Sequence, residues 1–195
     1  PDTLELYLQL HSIPAPWTIY RAIRKLPPAH FAIFSSAGFH IKRYWDIDYR
    51  SKIQIAPDEA LEAFEEKLSQ AVRLRMISDV PLGALLSGGV DSSVVVAKMA
   101  ELSSAPIKTF SVGFKEESHN ELPLAEKVAH LCGTEHHTQI LAGDLSELLP
   151  VVARHYGEPF ADPSAVPSFL VSRAAREHVT VAINGDGGDE LLGGY

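Results

Sequence analysis

Seven consecutive residues, Ser87-Gly88-Gly89-Val90-Asp91-Ser92-Ser93, bring together paired glycines, three hydroxyls and one acid. Gly88 and Gly89 allow a sharp turn and a close backbone approach to a phosphate. A helix beginning immediately afterwards would present unpaired N–H groups and the positive end of its dipole. Ser87, Ser92 and Ser93 add hydroxyl donors. A bare carboxylate would repel a phosphate, so Asp91 points to a Mg²⁺ lying between it and the anion. Without a ligand the segment would be a turn before a helix, with Asp91 near the N-cap. Chance occurrence of Ser-Gly-Gly-x-Asp-Ser in a chain of this length is on the order of one in several thousand.

A second glycine-rich segment, Asn184-Gly185-Asp186-Gly187-Gly188-Asp189-Glu190, carries three acids. Alone it reads as a flexible turn with Asp189 capping a helix. Facing Asp91 across a phosphate, Asp189 becomes a second Mg²⁺ ligand. Each segment gives the other a purpose.

The elements that must position these loops follow from periodicity. Val80 to Leu86 reads as a buried strand entering the first loop, and Val94, Val95, Val96, Ala97 and Met99 predict a buried helix leaving it. Upstream, Pro57, Asp58 and Glu59 open a helix with Leu61, Phe64, Leu68 and Val72 on one face. Downstream come a strand at Lys108 to Phe114, a helix at Glu121 to Leu131 ending at Gly133, and a strand at Glu135 to Leu141. A helix at Leu145 to His155, a proline-rich loop from Glu158 to Pro167, a helix to His178 and a buried strand at Val179 to Ile183 complete the series. Such alternation predicts an α/β fold, a parallel sheet with flanking helices, whose ligands bind at the carboxyl ends of the strands. The ends carrying Ser87 to Ser93, Ser111 to Phe114 and Asn184 to Glu190 should converge on one pocket. Residues Leu4 to Leu10 predict a short helix, and Phe31 to Phe34 with Phe39 to Tyr44 a hairpin. Residues 1–56 therefore read as a connector and the edge of a preceding domain, and residues 57–195 as the start of an α/β domain.

Composition narrows the function classes. The chain has 195 residues, 46% of them hydrophobic, and a net charge of -8, which disfavours broad contact with a nucleic-acid backbone. Its single cysteine, Cys132, lacks an internal disulfide partner and a zinc-ligand neighbourhood, and reads as a small buried hydrophobe. No signal peptide or membrane span is visible, which leads us to expect a cytoplasmic protein. The chain opens at Pro1 and stops at Tyr195 shortly after a predicted helix start, the pattern expected of a piece of a longer polypeptide.

Leu86 to Ser93, Thr109-Phe110-Ser111-Val112-Gly113-Phe114 and Gly185 to Tyr195 resemble three successive motifs of the glutamine-dependent asparagine synthetase family, in its ATP-pyrophosphatase (PP-loop) domain. Ile23-Arg24-Lys25-Leu26-Pro27-Pro28 and Arg43-Tyr44-Trp45-Asp46 are similar to the connector leaving that family's glutaminase domain. The resemblance implies an adenine nucleotide alpha hydrolase-like fold and an ATP-dependent ligase. In it a carboxylate acceptor, aspartate in asparagine synthetases, attacks ATP, releases pyrophosphate and is amidated by ammonia from glutamine. It further implies that Ser87, Gly88, Gly89, Ser92 and Ser93 hold the pyrophosphate, that Asp91 and Asp189 bind Mg²⁺, and that Leu86, Val112, Asn184 and Gly185 line the adenosine site. Asp186 would face the reacting acyl centre as a proton acceptor.

Two departures bear on the acceptor. Asp186 stands where many asparagine synthetases carry Glu, and Glu158 to Ser164 differs from their acceptor-side segment. The family's glutaminase cysteine would precede Pro1 and its catalytic lysine would follow Tyr195, so this piece alone is expected to be inactive. The oligomeric state stays open, a homodimer included. A ring-closing synthetase of the β-lactam type, an ATP-binding module without chemistry and an RNA-thiolating enzyme are the competing readings. The last lacks a cysteine pair and positive charge.

Other chemistry-bearing residues receive plainer readings. His136 and His137 would point to opposite faces of a strand and so not share an ion, leaving solvent or edge packing. Trp17, Trp45 and the phenylalanines are expected to pack rather than to stack on bases. Arg73 and Arg75 are expected on a solvated helix face.

Overall fold

The computed structural model describes residues 2–114, 121–141 and 145–194. Tyr195, which closes the third motif, lies outside them. By packing, the chain divides into two compact units, Pro1–Gln54 with Ser146–Ala165, and Ile55–Leu145 with Val166–Tyr195.

The first unit holds helix α1 (Asp2–Leu10) and an antiparallel hairpin of β1 (His30–Ser35) and β2 (Gly38–Arg43), in which Phe34 pairs with Phe39. Its connector is organised by two polar side chains. The Thr18 hydroxyl accepts from Tyr20 N–H at 3.1 Å and lies 3.0 Å from the Tyr20 and Ile23 carbonyls. Glu158 accepts from Ile19 N–H at 3.3 Å and pairs with Lys25. The expectation that the aromatics pack inward holds only in part. The Phe31 and Tyr44 rings lie 6.4 Å apart, but Trp17 and Trp45 are exposed, and so are Phe34 and Phe39 of the hairpin, because a two-stranded hairpin has no second layer of its own to cover its faces.

The second unit opens with α2 (Pro57–Arg75), which carries Asp58 and Glu59 in its first turn and Arg73 and Arg75 in its last, as its dipole favours. Leu68, Val72 and Met76 reach the core, while Leu61 and Phe64 remain exposed. Its 19 residues span ~28 Å, against ~20 Å for the 13 of its neighbour α3 (Val90–Leu102), so the expected apolar face is covered over only part of its length. Strand β3 (Leu82–Leu85) leads into α3, then β4 (Lys108–Phe114), α4 (Leu122–Cys132) and β5 (Glu135–Leu141) follow. Helix α4 ends at Gly133 with φ 63°, a left-handed turn that glycine adopts without penalty.

The expected helix at Leu145 to His155 is instead a 3₁₀ turn, Leu145–Leu148, followed by α5 (Leu149–Tyr156). Pro150 has no N–H and its ring crowds the carbonyl four residues back, which separates the two. The proline-rich loop is shorter than expected because α6 (Ala165–Arg176) already contains Pro167 in its first turn, where the missing N–H has no helical partner to lose. The unit closes with β6 (Val181–Ile183) and α7 (Gly188–Leu192).

The parallel α/β architecture is as expected. The sheet order is β5-β4-β3-β6, every neighbour parallel, with Leu85 opposite Phe110 and Ala84 opposite Ile183. Two burial expectations are corrected. Strand β6 pairs with β3 at the edge of the described sheet and is largely exposed, while Val179, before it, is 4% exposed against Phe110 and Ala175. Helix α3 buries Ser92, Val96 and Met99 but exposes Val90 and Val94, since a helix on the outside of a sheet layer keeps one side in solvent. Cys132 is half-buried against the core, as expected of a small hydrophobe. Among the described residues no helix is long and apolar enough to cross a membrane.

Candidate functional site

From β3 the chain runs sideways to β4 and β5 and then returns to β6 on the opposite side of β3. Strand order therefore reverses between β3 and β6, and in parallel sheets the crevice outside the carboxyl ends at such a reversal is where ligands sit. Both glycine-acid segments leave the sheet there.

The first loop is organised by its own hydroxyls. Ser87 and Ser92 hydroxyls lie 2.9 Å apart, Ser87 N–H donates to Ser92 Oγ at 3.3 Å, and Gly89 N–H donates to Ser87 Oγ at 3.2 Å. Ser92 and Ser93 hydroxyls both donate to the Gly89 carbonyl, at 3.2 and 2.6 Å. Gly89 is the N-cap of α3 and no side chain caps it, so the first-turn N–H groups keep their capacity for an anion. Gly88 has φ +86°, and a Cβ there would fall 2.7 Å from Ala125 N and from Leu124 Cβ. The start of α4 thus packs directly on the loop.

The second loop is pressed against the first. A Cβ on Gly185 would lie 2.6 Å from Ser92 N, and one on Gly188 would lie 2.3 Å from Asp91 Cγ. Asp91 therefore sits against the segment that carries Asp189. The Asp189 carboxylate itself lies against Gly194, and Asp186 accepts from the Asn184 amide at 2.7 Å. Val112 is half-buried on β4. Leu86 is 1% exposed, its side chain in the core, so it supports the loop from beneath.

The carboxylate oxygens of Asp91 and Asp189 are donors of the kind Mg²⁺ takes, and Mg²⁺ habitually uses one or two protein carboxylates and fills its remaining positions with phosphate and water. No group of three or more His, Cys, Asp or Glu side chains suited to a metal occurs among the described residues. The chemistry of these two carboxylates suits such an ion.

Two buried polar residues of the β4 motif, given no individual role by the sequence, organise the strand. Ser111, 4% exposed on β4, donates its hydroxyl to the Leu86 carbonyl at the exit of β3. Thr109, fully buried, lies 2.8 Å from both Thr134 Oγ1 and His136 Nδ1. Their signal was two hydroxyl residues alternating on one face of β4, with Phe110 buried on the other. The two histidines do part to opposite sides of edge strand β5, and both are half-buried. His137 stacks on Phe110 at 5.2 Å and on His178 at 4.1 Å. Burial holds the His136 imidazole below the ordinary histidine range. Arg75 donates to its own helix at the Ala71 carbonyl, 3.0 Å, and is exposed, as expected.

The asparagine synthase family model matches residues 63–195. The chain belongs to the asparagine synthase family. Among its relatives, asparagine synthetase [glutamine-hydrolyzing] 1 of Bacillus subtilis is 34% identical over 197 residues, taking in 100% of this chain and 31% of the relative. A putative asparagine synthetase [glutamine-hydrolyzing] 2 of Methanocaldococcus jannaschii is 40% identical over 199 residues, taking in 100% of this chain and 38% of its own length. The chain thus spans about a third of the length of these curated asparagine synthetase relatives. Among solved structures, an NH3-dependent NAD synthetase from Campylobacter jejuni aligns with TM-score 0.45 and 16% identity, over 69% of this chain and 60% of that one. Both glycine-acid loops and the β4 motif fall within the residues that the asparagine synthase family model matches.

Proposed function

We propose that the protein carrying this chain is a glutamine-dependent amidotransferase of asparagine synthetase type. It activates the side-chain carboxylate of aspartate with ATP and converts it to the amide. The observation that carries this reading is the contact of the two loops at the reversal of strand order, Gly185 on Ser92 and Gly188 on Asp91. A loop with uncapped helical N–H groups meets an acidic loop there, an arrangement suited to polyphosphate with a divalent cation.

A carboxylate oxygen is a poor leaving group. Attack of the acceptor carboxylate on the α-phosphorus of ATP forms the acyl-adenylate, breaks the α–β bridge and expels pyrophosphate. Ser87, Gly88, Gly89, Ser92 and Ser93 bind that pyrophosphate, and their aimed donors stabilise the charge that grows on it. Asp91 and Asp189 would hold Mg²⁺, which when bound supplies charge neutralisation on the phosphate oxygens. Val112, Asn184 and Gly185 line the adenosine site, with Leu86 supporting it from below. Ammonia from a glutaminase domain then adds to the acyl carbon and AMP departs. Asp186 accepts the proton that the attacking nitrogen must shed, its carboxylate oriented by Asn184.

On this reading residues 57–195 form the N-terminal part of a synthetase domain, and residues 1–56 form the connector from the glutaminase domain. The protein works in the cytoplasm, where ATP and glutamine are at hand. Full-length protein supplied with aspartate, glutamine and Mg-ATP should form asparagine with AMP and pyrophosphate in equal amounts. Formation of ADP and phosphate, or no amide with aspartate, would overturn the assignment.

A further inference from the structure

We propose that Ser111 is a positioning residue for the pyrophosphate loop, acting through the Leu86 carbonyl and not by touching the nucleotide. The inference rests on the adenylation reading above and deepens it.

Leu86 is the residue at which the chain leaves the sheet. The last ladder pair is Leu85 with Phe110, and one residue later Leu86 N–H still donates to the Phe110 carbonyl at 2.9 Å. The Leu86 side chain is 1% exposed within the core. Its carbonyl then accepts the hydroxyl of Ser111, the residue following Phe110 on β4. Leu86 is therefore fixed at side chain, N–H and C=O, and Ser87 begins the loop from a point with no rotational freedom left.

That geometry passes into the cradle. Ser87 N–H reaches Ser92 Oγ at 3.3 Å and the Ser92 hydroxyl reaches the Gly89 carbonyl at 3.2 Å, so the plane of the Leu86–Ser87 peptide sets where the hydroxyl network and the α3 N-terminus stand. A buried carbonyl deprived of its donor recovers a partner by rotating. Rotation at Leu86 swings Ser87. At 4% exposure Ser111 is itself shielded from any ligand in the crevice.

The test compares Ser111→Ala, Ser111→Val and Ser111→Thr in the full-length protein, measured by pyrophosphate–ATP exchange with aspartate. Thr and Val have nearly the same shape and differ in the hydroxyl, so their contrast isolates the hydrogen bond from packing. The Ala and Val variants should raise KM for Mg-ATP about tenfold, with Thr restoring it to within about threefold of wild type and kcat moving less than KM throughout. A residue of purely structural importance would lower the active fraction, and hence the apparent kcat, with KM unchanged. Unchanged KM in Ala and Val, equal behaviour of Thr and Val, or loss of folded protein in Ala and Val alike would each overturn the positioning role. Absence of exchange in the wild-type protein would instead strike the adenylation reading, and the positioning role with it.

Discussion

Replacing Gly88 by alanine separates the architecture of the loop from mere glycine content, because its neighbour Gly89 provides an internal control. Gly88 has φ +86°, and an added Cβ would lie 2.7 Å from Ala125 N and Leu124 Cβ and 3.0 Å from the Leu124 carbonyl carbon. Two costs follow. An L-residue in a left-handed conformation loses roughly 1–2 kcal/mol, and forcing a methyl onto backbone atoms of a packed helix loses about 1–3 kcal/mol more. Gly89, at φ -66° and ψ 161°, already has a conformation alanine accepts, and its added Cβ would meet only Ser87 Oγ at 3.3 Å. Its replacement forfeits an N-cap preference, about 0.5–1 kcal/mol. Urea unfolding should therefore show Gly88→Ala less stable by about 2–5 kcal/mol and Gly89→Ala by under about 1 kcal/mol, with m unchanged in both. Equal losses in the two variants would refute the packing of α4 on the loop.

The second loop yields a similar contrast. Neither Gly185 nor Gly188 has a positive φ; an alanine at Gly185 meets Ser92 backbone, while one at Gly188 meets the Asp91 carboxylate, which can rotate. Gly185→Ala should lower stability by about 1–3 kcal/mol, whereas Gly188→Ala should leave the urea midpoint near wild type and weaken Mg-ATP binding in calorimetry. Because burial depresses the His136 pKa in the fold, the neutral ring is favoured there, and the stabilisation is present above the ordinary histidine value and lost as pH falls below it. Urea midpoints from pH 7.5 to 5.5 should fall more steeply in wild type than in His136→Gln, and parallel slopes would contradict this. Burial also raises the Cys132 thiol pKa, with Glu101 adding to the effect, so alkylation at pH 8 should run slower in native protein than in urea-unfolded protein.

The parallel sheet, its element order and both loops were legible in the sequence, because glycine turns, strand-length apolar runs and helix signals at Pro57 and Gly133 are local. What escaped was set by neighbours distant in the chain. Nothing local in Val181-Ala182-Ile183 says that β6 lies at the edge of the described sheet, nor in Leu61 and Phe64 that α2 is longer than the helix packed beside it. Pro150 and Pro167 show the converse limit: each sits in the first turn of a helix, so a proline in the sequence reports where a helix starts as readily as where one breaks. At the site, the acids of the two loops were recognisable by type, but the close approach that pairs Gly188 with Asp91 needs the register of β6 against β3. Ser111 was legible as part of the Thr109 to Phe114 motif, but its contact with the Leu86 carbonyl was not, because Ser111 lies on β4 and Leu86 at the exit of β3, 25 positions apart.

Pyrophosphate–ATP isotope exchange by the full-length protein reads the reversible adenylation step before ammonia is required. Exchange that depends on aspartate and on Mg²⁺, and that is lost in both Asp91→Ala and Asp189→Ala, is the result these loops predict. Absence of exchange with aspartate or any other carboxylate, or exchange undiminished in both variants, would contradict the account.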